Sequence, residues 1–135
     1  MNEQRRRLIE MNKTILLIED NEQNRYLATF LLEKHGYLVV PASDGVTGIQ
    51  LGSRIQPKGI VLDIHLPGLD GYEVARALRR NSVLDGVPII AVTSYAMAGD
   101  REKAMAAGCD GYIEKPIDPD TFVSEVEKLF LQEPS

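Results

Sequence analysis

Five short apolar runs, each followed by a stretch with helical periodicity, constrain the fold of this chain more than any other feature. The runs show no alternation of apolar and polar residues, which is typical of strands buried on both faces of a parallel sheet. They lie at 15–18, 37–40, 60–62, 88–92 and 111–113. Strands that alternate with helices favour right-handed crossovers, with helices on both faces of the sheet. The sequence therefore predicts an α/β fold with a doubly wound, five-stranded parallel sheet.

The stretches between the runs carry helical spacing and helix-end signals. Leu27, Phe30 and Leu31 fall at positions i, i+3 and i+4 and would share one face of a helix. Asp44 and Asp70 each precede such a stretch at the position that favours an N-cap. We predict helices over 22–35, from Asp44 to before Pro57, after Asp70, over about 98–107, and from Asp118 to about 130 with Pro119 at its first position.

The length of the chain sets the number of domains. With 135 residues, it is long enough for one domain with a full core and too short for two typical domains. We place the domain at residues 13–131, between an N-terminal extension (1–12) that we expect to be flexible and a C-terminal tail (132–135). We expect no output domain after residue 131, so that the domain would act through protein contact.

The charge and the cysteine content bear on partners and location. The net charge is −5, and because the first thirteen residues carry +2, the remainder carries −7. Such an acidic domain is a poor match for nucleic acid. No apolar run reaches the roughly 18 residues that a membrane helix needs, and the single cysteine, Cys109, has no partner for a disulfide within the chain. We therefore expect a cytoplasmic protein without nucleic-acid or membrane contacts, in which Cys109 is a buried thiol.

Polar side chains follow four of the five apolar runs. Glu19 and Asp20 follow the first run, Asp63 the third, Thr93 the fourth and Lys115 the fifth. The carboxyl ends of parallel strands meet at one edge of a sheet, where such folds bind ligands. Three carboxylates at one edge repel one another unless a cation lies between them. Oxygen ligands of this kind suit Mg²⁺.

Carboxylates, Mg²⁺ and a lysine occur together in phosphoryl transfer. The cations offset the charge of the phosphoryl oxygens, and a hydroxyl donates a hydrogen bond to one of them. A carboxylate can itself be the nucleophile and form an aspartyl phosphate. Asp63 is the best candidate, because the third strand of such a fold is central and the other acids can flank it.

Five motifs in order and spacing resemble one family. They are Ile18-Glu19-Asp20-Asn21, Leu62-Asp63 with Pro67-Gly68-Leu69-Asp70-Gly71 after it, Val92-Thr93-Ser94, Tyr112, and Lys115-Pro116. Together they resemble the CheY-like receiver domain of two-component response regulators, over residues 13 to about 131. The resemblance implies a (βα)5 flavodoxin-like fold with strand order 2-1-3-4-5, in a phosphorylation-dependent signalling switch.

The resemblance also implies a role for each site residue. Asp63 would accept a phosphoryl group from a phosphohistidine on a sensor histidine kinase or a histidine phosphotransfer protein. Asp20, Asp63 and the backbone carbonyl of His65 would hold Mg²⁺, and Glu19 would hold it through water. Lys115 would pair with Asp63 and then with the phosphate. The domain would catalyse only its own phosphorylation and dephosphorylation and would not otherwise be an enzyme.

The resemblance further implies how the switch is transmitted. Thr93 would bind the phosphoryl group, and Tyr112 would then swing inward. This movement would change the surface of the fourth predicted helix, the fifth strand and the last helix, which would bind a downstream protein or form a phosphorylation-dependent homodimer. Pro116 would follow a cis peptide bond. His65 would line the pocket mouth as a partly exposed loop residue and, with Tyr95, would hinder the water that removes the phosphoryl group.

Alternatives remain open from the residues alone. The domain could stand alone or be a receiver module of a hybrid histidine kinase or a longer regulator. An aspartyl-nucleophile phosphatase on a similar sheet needs a second Asp two residues after the nucleophile, where this chain has His65. A flavin mononucleotide carrier needs a glycine- and hydroxyl-rich phosphate loop, whereas Glu19-Asp20-Asn21-Glu22 is acidic.

Overall fold

The fold is taken from a computed structural model that describes residues 2–94 and 97–130, with the backbone alone at 8–10. The strands of the described part are β1 (Thr14–Ile18), β2 (Leu38–Ala42), β3 (Gly59–Asp63), β4 (Ile89–Thr93) and β5 (Gly111–Glu114). The helices are α1 (Glu3–Glu10), α2 (Glu22–Lys34), α3 (Gly45–Ile55), α4 (Gly71–Arg79), α5 (Asp100–Ala106) and α6 (Phe122–Phe130), with a short 3-10 helix at Ser82–Leu84.

The five strands form one parallel sheet in the order β2-β1-β3-β4-β5. The predicted fold class and strand order are thereby confirmed. The order reverses between β1 and β3, which are neighbours although β2 lies between them in the chain. The carboxyl ends of β1, β3 and β4 consequently lie side by side, which is where an open α/β sheet binds ligands.

Both faces of the sheet are buried, as the continuous apolar runs predict. Ile15 and Leu17 of β1 point to one face and Leu16 and Ile18 to the other, because successive side chains of a strand alternate. On the first face they pack with residues of α2 and α6, including Leu32, Phe122 and Val126. On the second face they pack with residues of α4 and the 3-10 helix, including Val74, Leu78 and Leu84.

Two helical segments differ from the sequence predictions. Helix α1 was not predicted; it lies inside the N-terminal extension, where the Asn2 side-chain oxygen accepts from the Arg5 amide at 2.7 Å. The last helix begins at Phe122 and not at Pro119. Asp118 is used in a turn, in which its carbonyl accepts from Thr121 and Phe122 and its side chain accepts from Asp120.

A guanidinium group fixes the edge of the sheet opposite the carboxyl ends. Arg79, at the end of α4, donates to the carbonyls of Gly108 and Leu84 and forms an ion pair with Asp110 at 2.6 Å. The same Asp110 carboxylate accepts from the backbone amide of Ile89. This cluster joins the ends of α4 and α5 to the beginnings of β4 and β5.

None of the helices in the described part of the chain has the length and apolar character needed to span a bilayer.

Candidate functional site

An acidic cluster lies where β1 and β3 end. Carboxylate oxygens of Glu19, Asp20 and Asp63 all lie within 4.8 Å of one another. Glu19 and Asp63 are buried, and Asp20 is exposed. The topology causes this arrangement, because β1 and β3 are neighbours and their carboxyl ends meet at one edge. The predicted convergence of the three acids is thus present in the structure.

Lys115 follows β5 and reaches into this cluster. Its ammonium lies 2.7 Å from Glu19 Oε1 and 3.4 Å from Asp63 Oδ2, and all three side chains are more than nine-tenths buried. The expected approach of Lys115 to Asp63 is present, and the contact with Glu19, which is shorter, was not predicted. The Lys115–Pro116 peptide bond is cis, as the resemblance implied. One ammonium therefore lies between two buried carboxylates.

Asp63 is held in an environment that favours its protonated form. Burial, followed by a hydrogen bond and charge repulsion from Glu19, raises the pKa of Asp63 from 3.8 to about 7. Two contacts act in the opposite direction: the His65 amide donates to Asp63 Oδ1 at 3.0 Å, and Lys115 is positively charged. The nearby cation thus only partly offsets the cost of burying this carboxylate.

Backbone contacts hold the loops that carry the acids, and the sequence analysis assigned no role to the two residues that make them. Arg25 of α2 donates to the carbonyls of Glu19 and Asp20, at 3.0 and 3.4 Å. The amide of Gly71 donates to the Ile64 carbonyl at 2.8 Å, so closely that a Cβ at position 71 would overlap the Ile64 backbone. An arginine in the second turn of the helix after an acidic pair is the signal that could have indicated the first contact.

Thr93 lies at the end of β4 and is almost completely buried, at 1% exposure. Its hydroxyl oxygen lies 2.8 Å from Nε2 of His65, a residue of the loop between β3 and α4. The predicted partial exposure of His65 agrees with its position at the surface. Its contact with Thr93 was not predicted. Tyr95, which the resemblance pairs with His65 at the pocket mouth, lies outside the described residues.

Tyr112 of β5 lies beside a second tyrosine. Its hydroxyl is buried and, within the described part of the chain, has no hydrogen-bond partner. Burial and the nearby negative charge of Asp100 raise the pKa of this hydroxyl. Asp100 accepts from the Tyr72 hydroxyl at 3.4 Å and from the Met97 amide at 2.8 Å. The Lys103 ammonium lies 5.2 Å from the centre of the Tyr72 ring.

The acidic cluster fits a hard divalent cation. It offers carboxylate oxygens, with no sulfur or imidazole nitrogen in the group, and oxygen ligands are those that Mg²⁺ prefers. The buried part holds two carboxylates and one ammonium, so a further cation would offset the burial and the repulsion from Glu19 that both raise the pKa of Asp63. The fold and this edge together define a CheY-like α/β protein with an acidic cluster at the carboxyl ends of its strands.

Comparisons with known proteins agree with that class. The family model of the response regulator receiver domain matches residues 15–127. The polar-differentiation response regulator DivK of Brucella ovis is 37% identical over 117 residues, which cover 87% of this chain and 95% of that protein. The chain belongs to the response regulator receiver domain family and is a receiver domain of two-component signalling. Nothing in these comparisons supports the aspartyl phosphatase alternative.

Solved structures show the same fold. The receiver domain of the sensor histidine kinase PA1611 from Pseudomonas aeruginosa, with a magnesium ion coordinated in its active-site cleft, has a TM-score of 0.81 and 34% identity; the match covers 88% of this chain and 98% of that one. The chemotaxis protein CheY4 of Vibrio cholerae has a TM-score of 0.82 and 24% identity, over 86% of this chain and 97% of that one.

Proposed function

We propose that Asp63 is the phosphoacceptor of this receiver domain. The observation that carries the proposal is the position of Asp63 at the end of the central strand, within 4.8 Å of two further acids and 3.4 Å from a buried ammonium. A carboxylate oxygen of Asp63 attacks the phosphorus of a phosphohistidine, the P–N bond breaks, and the imidazole leaves with the electron pair. The product is an aspartyl phosphate, and no oxidant or reductant takes part.

The same edge is proposed to hold Mg²⁺. Asp20, Asp63 and the backbone carbonyl of His65 would bind the ion directly, and Glu19 would bind it through water. When bound, Mg²⁺ offsets the negative charge that gathers on the phosphoryl oxygens. The magnesium ion in the PA1611 receiver domain supports this assignment.

Lys115 and Thr93 supply the remaining contacts to the phosphoryl group. Lys115 lies beside both Glu19 and Asp63, so its ammonium can stay in the pocket when charge moves onto the phosphoryl oxygens. The Thr93 hydroxyl donates a hydrogen bond to one of these oxygens. Contacts that exist only in the phosphorylated state shift the conformational equilibrium towards it.

Output passes through the face formed by α5, β5 and α6. Tyr112 lies on β5 of this face with its hydroxyl buried, and its partner on the neighbouring strand is Ala91, two residues before Thr93. We expect movement at Thr93 to displace the Tyr112 ring. The phosphoryl donor would be a sensor histidine kinase or a phosphotransfer protein, and the face would bind a downstream protein or a second copy. The domain would catalyse only its own phosphorylation and dephosphorylation, in the cytoplasm, where the buried thiol of Cys109 stays reduced.

Incubation with acetyl phosphate and Mg²⁺, followed by intact mass measurement, tests this proposal. We expect one phosphoryl adduct on the wild type and none on Asp63→Asn. Asp70→Asn is the matched control, because Asp70 is an exposed acid that caps α4 through the Glu73 amide and Asn can replace it there. A wild-type protein without an adduct, or an adduct that persists in Asp63→Asn, would overturn the assignment.

A further inference from the structure

We propose that His65 is a positioning residue that holds the Thr93 hydroxyl for hydrogen bonding to the phosphoryl group. The inference rests on the proposed function and adds to it a role for the His65 side chain, which lies in the loop between β3 and α4. His65 lies two residues after Asp63, and its ring does not have to touch the phosphoryl group to act. It acts through Thr93, with which it shares a hydrogen bond.

The loop between β3 and α4 places the imidazole over the end of β4. The His65 amide donates to Asp63 Oδ1 at 3.0 Å, and the Gly71 amide donates to the Ile64 carbonyl at 2.8 Å, so the loop backbone is fixed on both sides of the ring. Because Asp63 pairs with Val92 across the two strands, Thr93 lies one residue beyond this pair. From there Nε2 reaches the Thr93 hydroxyl oxygen at 2.8 Å.

The direction of this hydrogen bond follows from the number of protons on a hydroxyl. A threonine hydroxyl has one proton to donate and two lone pairs to accept with. If Thr93 gives its proton to a phosphoryl oxygen, the contact with His65 can persist only when Nε2–H is the donor and the Thr93 oxygen the acceptor. In that arrangement His65 fixes the oxygen and does not compete for the hydroxyl proton.

The hydrogen bond with His65 thus orients the Thr93 hydroxyl as a donor before the phosphoryl group is present. A buried hydroxyl held from one side loses rotational freedom before the phosphoryl group arrives, so less is lost when it binds. We expect the loss of such a hydrogen bond to change the affinity by about 3- to 10-fold, which is roughly 0.7–1.4 kcal/mol.

Titration with beryllofluoride, a phosphoryl mimic, at saturating Mg²⁺ measures this effect through backbone amide chemical shifts in NMR spectra. We expect His65→Leu to bind beryllofluoride about 3- to 10-fold more weakly than the wild type. His65→Gln should retain most of the affinity, because its amide nitrogen lies about as far along the side chain as Nε2. His65→Asn, with a shorter side chain, should resemble His65→Leu. His35→Leu is the matched control; its ring contacts the Leu31 carbonyl, at the end of α2 remote from the site.

A double-mutant cycle shows whether His65 acts through Thr93. In a Thr93→Ala background, His65→Leu should cause no further loss, because the hydroxyl that His65 positions is gone. Unchanged or tighter binding by His65→Leu, or an equal loss with and without the Thr93 hydroxyl, would overturn the proposal. Failure of the wild type to bind beryllofluoride would instead count against the proposed function, so the two failures are distinguishable.

Discussion

The Lys115 ammonium lies 2.7 Å from Glu19 Oε1, and both side chains are more than nine-tenths buried. The same ammonium is 3.4 Å from Asp63 Oδ2, so one lysine compensates two carboxylates. Removal of a single buried cation leaves uncompensated charge in a medium of low dielectric. We therefore expect Lys115→Met to lower the free energy of unfolding by about 3 kcal/mol in the presence of EDTA.

Urea unfolding of the variant, with EDTA and with Mg²⁺, measures this loss. Lys128→Met is the matched control, since Lys128 is an exposed lysine of α6, and its effect should stay below about 0.5 kcal/mol. Mg²⁺ should recover part of the stability that Lys115→Met loses. Equal losses in the two variants would show that Lys115 does not compensate the buried acids.

The stability of the metal-free protein should fall as the pH rises from about 4 to about 7. The pKa of Asp63 is raised from 3.8 to about 7 in the folded state. Between these values the folded chain keeps a proton that the unfolded chain has lost, so its stabilising contribution disappears as the pH approaches 7. Asp63→Asn removes this dependence and should be more stable than the wild type by about 2 kcal/mol at pH 8, with a smaller difference at pH 5.

Urea unfolding in EDTA at pH 5, 6, 7 and 8 follows this difference. Asp20→Asn changes the exposed member of the same cluster and should give a smaller gain, because its carboxylate stays in contact with water. A difference between Asp63→Asn and the wild type that does not change with pH would contradict the raised pKa.

Cys109 should react slowly while the protein is folded. The thiol is buried, at 4% exposure, and burial raises its pKa to about 11. The thiolate is the reactive form, so alkylation by iodoacetamide at pH 8 should be at least about 100-fold slower than in urea. Because the raised pKa favours the neutral thiol in the folded state, the thiol's contribution to stability should decline as the pH rises from about 9 to about 11. Equal alkylation rates with and without urea would show that Cys109 is accessible.

Loss of the hydroxyl should stabilise the protein at Tyr112 but not at Tyr72, the second tyrosine near Asp100. The Tyr112 hydroxyl is buried without a hydrogen-bond partner among the described residues, which is costly. Tyr112→Phe should therefore raise the free energy of unfolding by about 1 kcal/mol. Tyr72→Phe is the matched control, because its hydroxyl donates to Asp100 and its removal gives no gain. Thermal unfolding measures the melting temperatures of both variants and of the wild type. A lower melting temperature for Tyr112→Phe than for the wild type would contradict this expectation.

Gly71 should be intolerant of a side chain. A Cβ at this position would overlap the Ile64 backbone and come within 2.7 Å of the Asp63 carbonyl, in the loop that carries the site. Gly71→Ala should cost about 2 kcal/mol or more and reduce the phosphorylation rate. Gly68 offers a contrast in the same loop: its φ is +79°, but, apart from its two chain neighbours, no described residue would have an atom within 4 Å of a Cβ there. Gly68→Ala should cost about 1 kcal/mol and leave phosphorylation almost unchanged.

The sequence predicted the sheet and the members of the acidic cluster because both depend on regular spacing. Apolar runs marked the five strands, and polar residues within two positions of a run's end marked the edge at which Glu19, Asp63 and Lys115 meet. The pairing of Lys115 with Glu19 depends on which way a long side chain turns after the strands have assembled. Neither spacing nor charge indicates that direction.

Other features were not predicted because the sequence signals for them compete, are weak or depend on residues far apart in the chain. The Asp118–Pro119 pair is a good start for a helix, yet Asp118 is used in a turn and α6 begins at Phe122. Helix α1 has few apolar residues, so hydrophobic periodicity did not indicate it. The contact of His65 with Thr93 joins residues 28 positions apart, and only the completed fold brings them together.

The ion pair between Arg79 and Asp110 has a mechanical consequence for α5, which is part of the proposed output face. Arg79 also donates a hydrogen bond to the Gly108 carbonyl, just after α5. It therefore anchors the C-terminal end of α5 to the edge of the sheet opposite the carboxyl ends of the strands. The N-terminal end of α5 follows β4, the strand that ends at Thr93. In the proposed switch, movement that begins at Thr93 would reach α5 at the end remote from this anchor, and we expect the helix to turn about its end near Gly108.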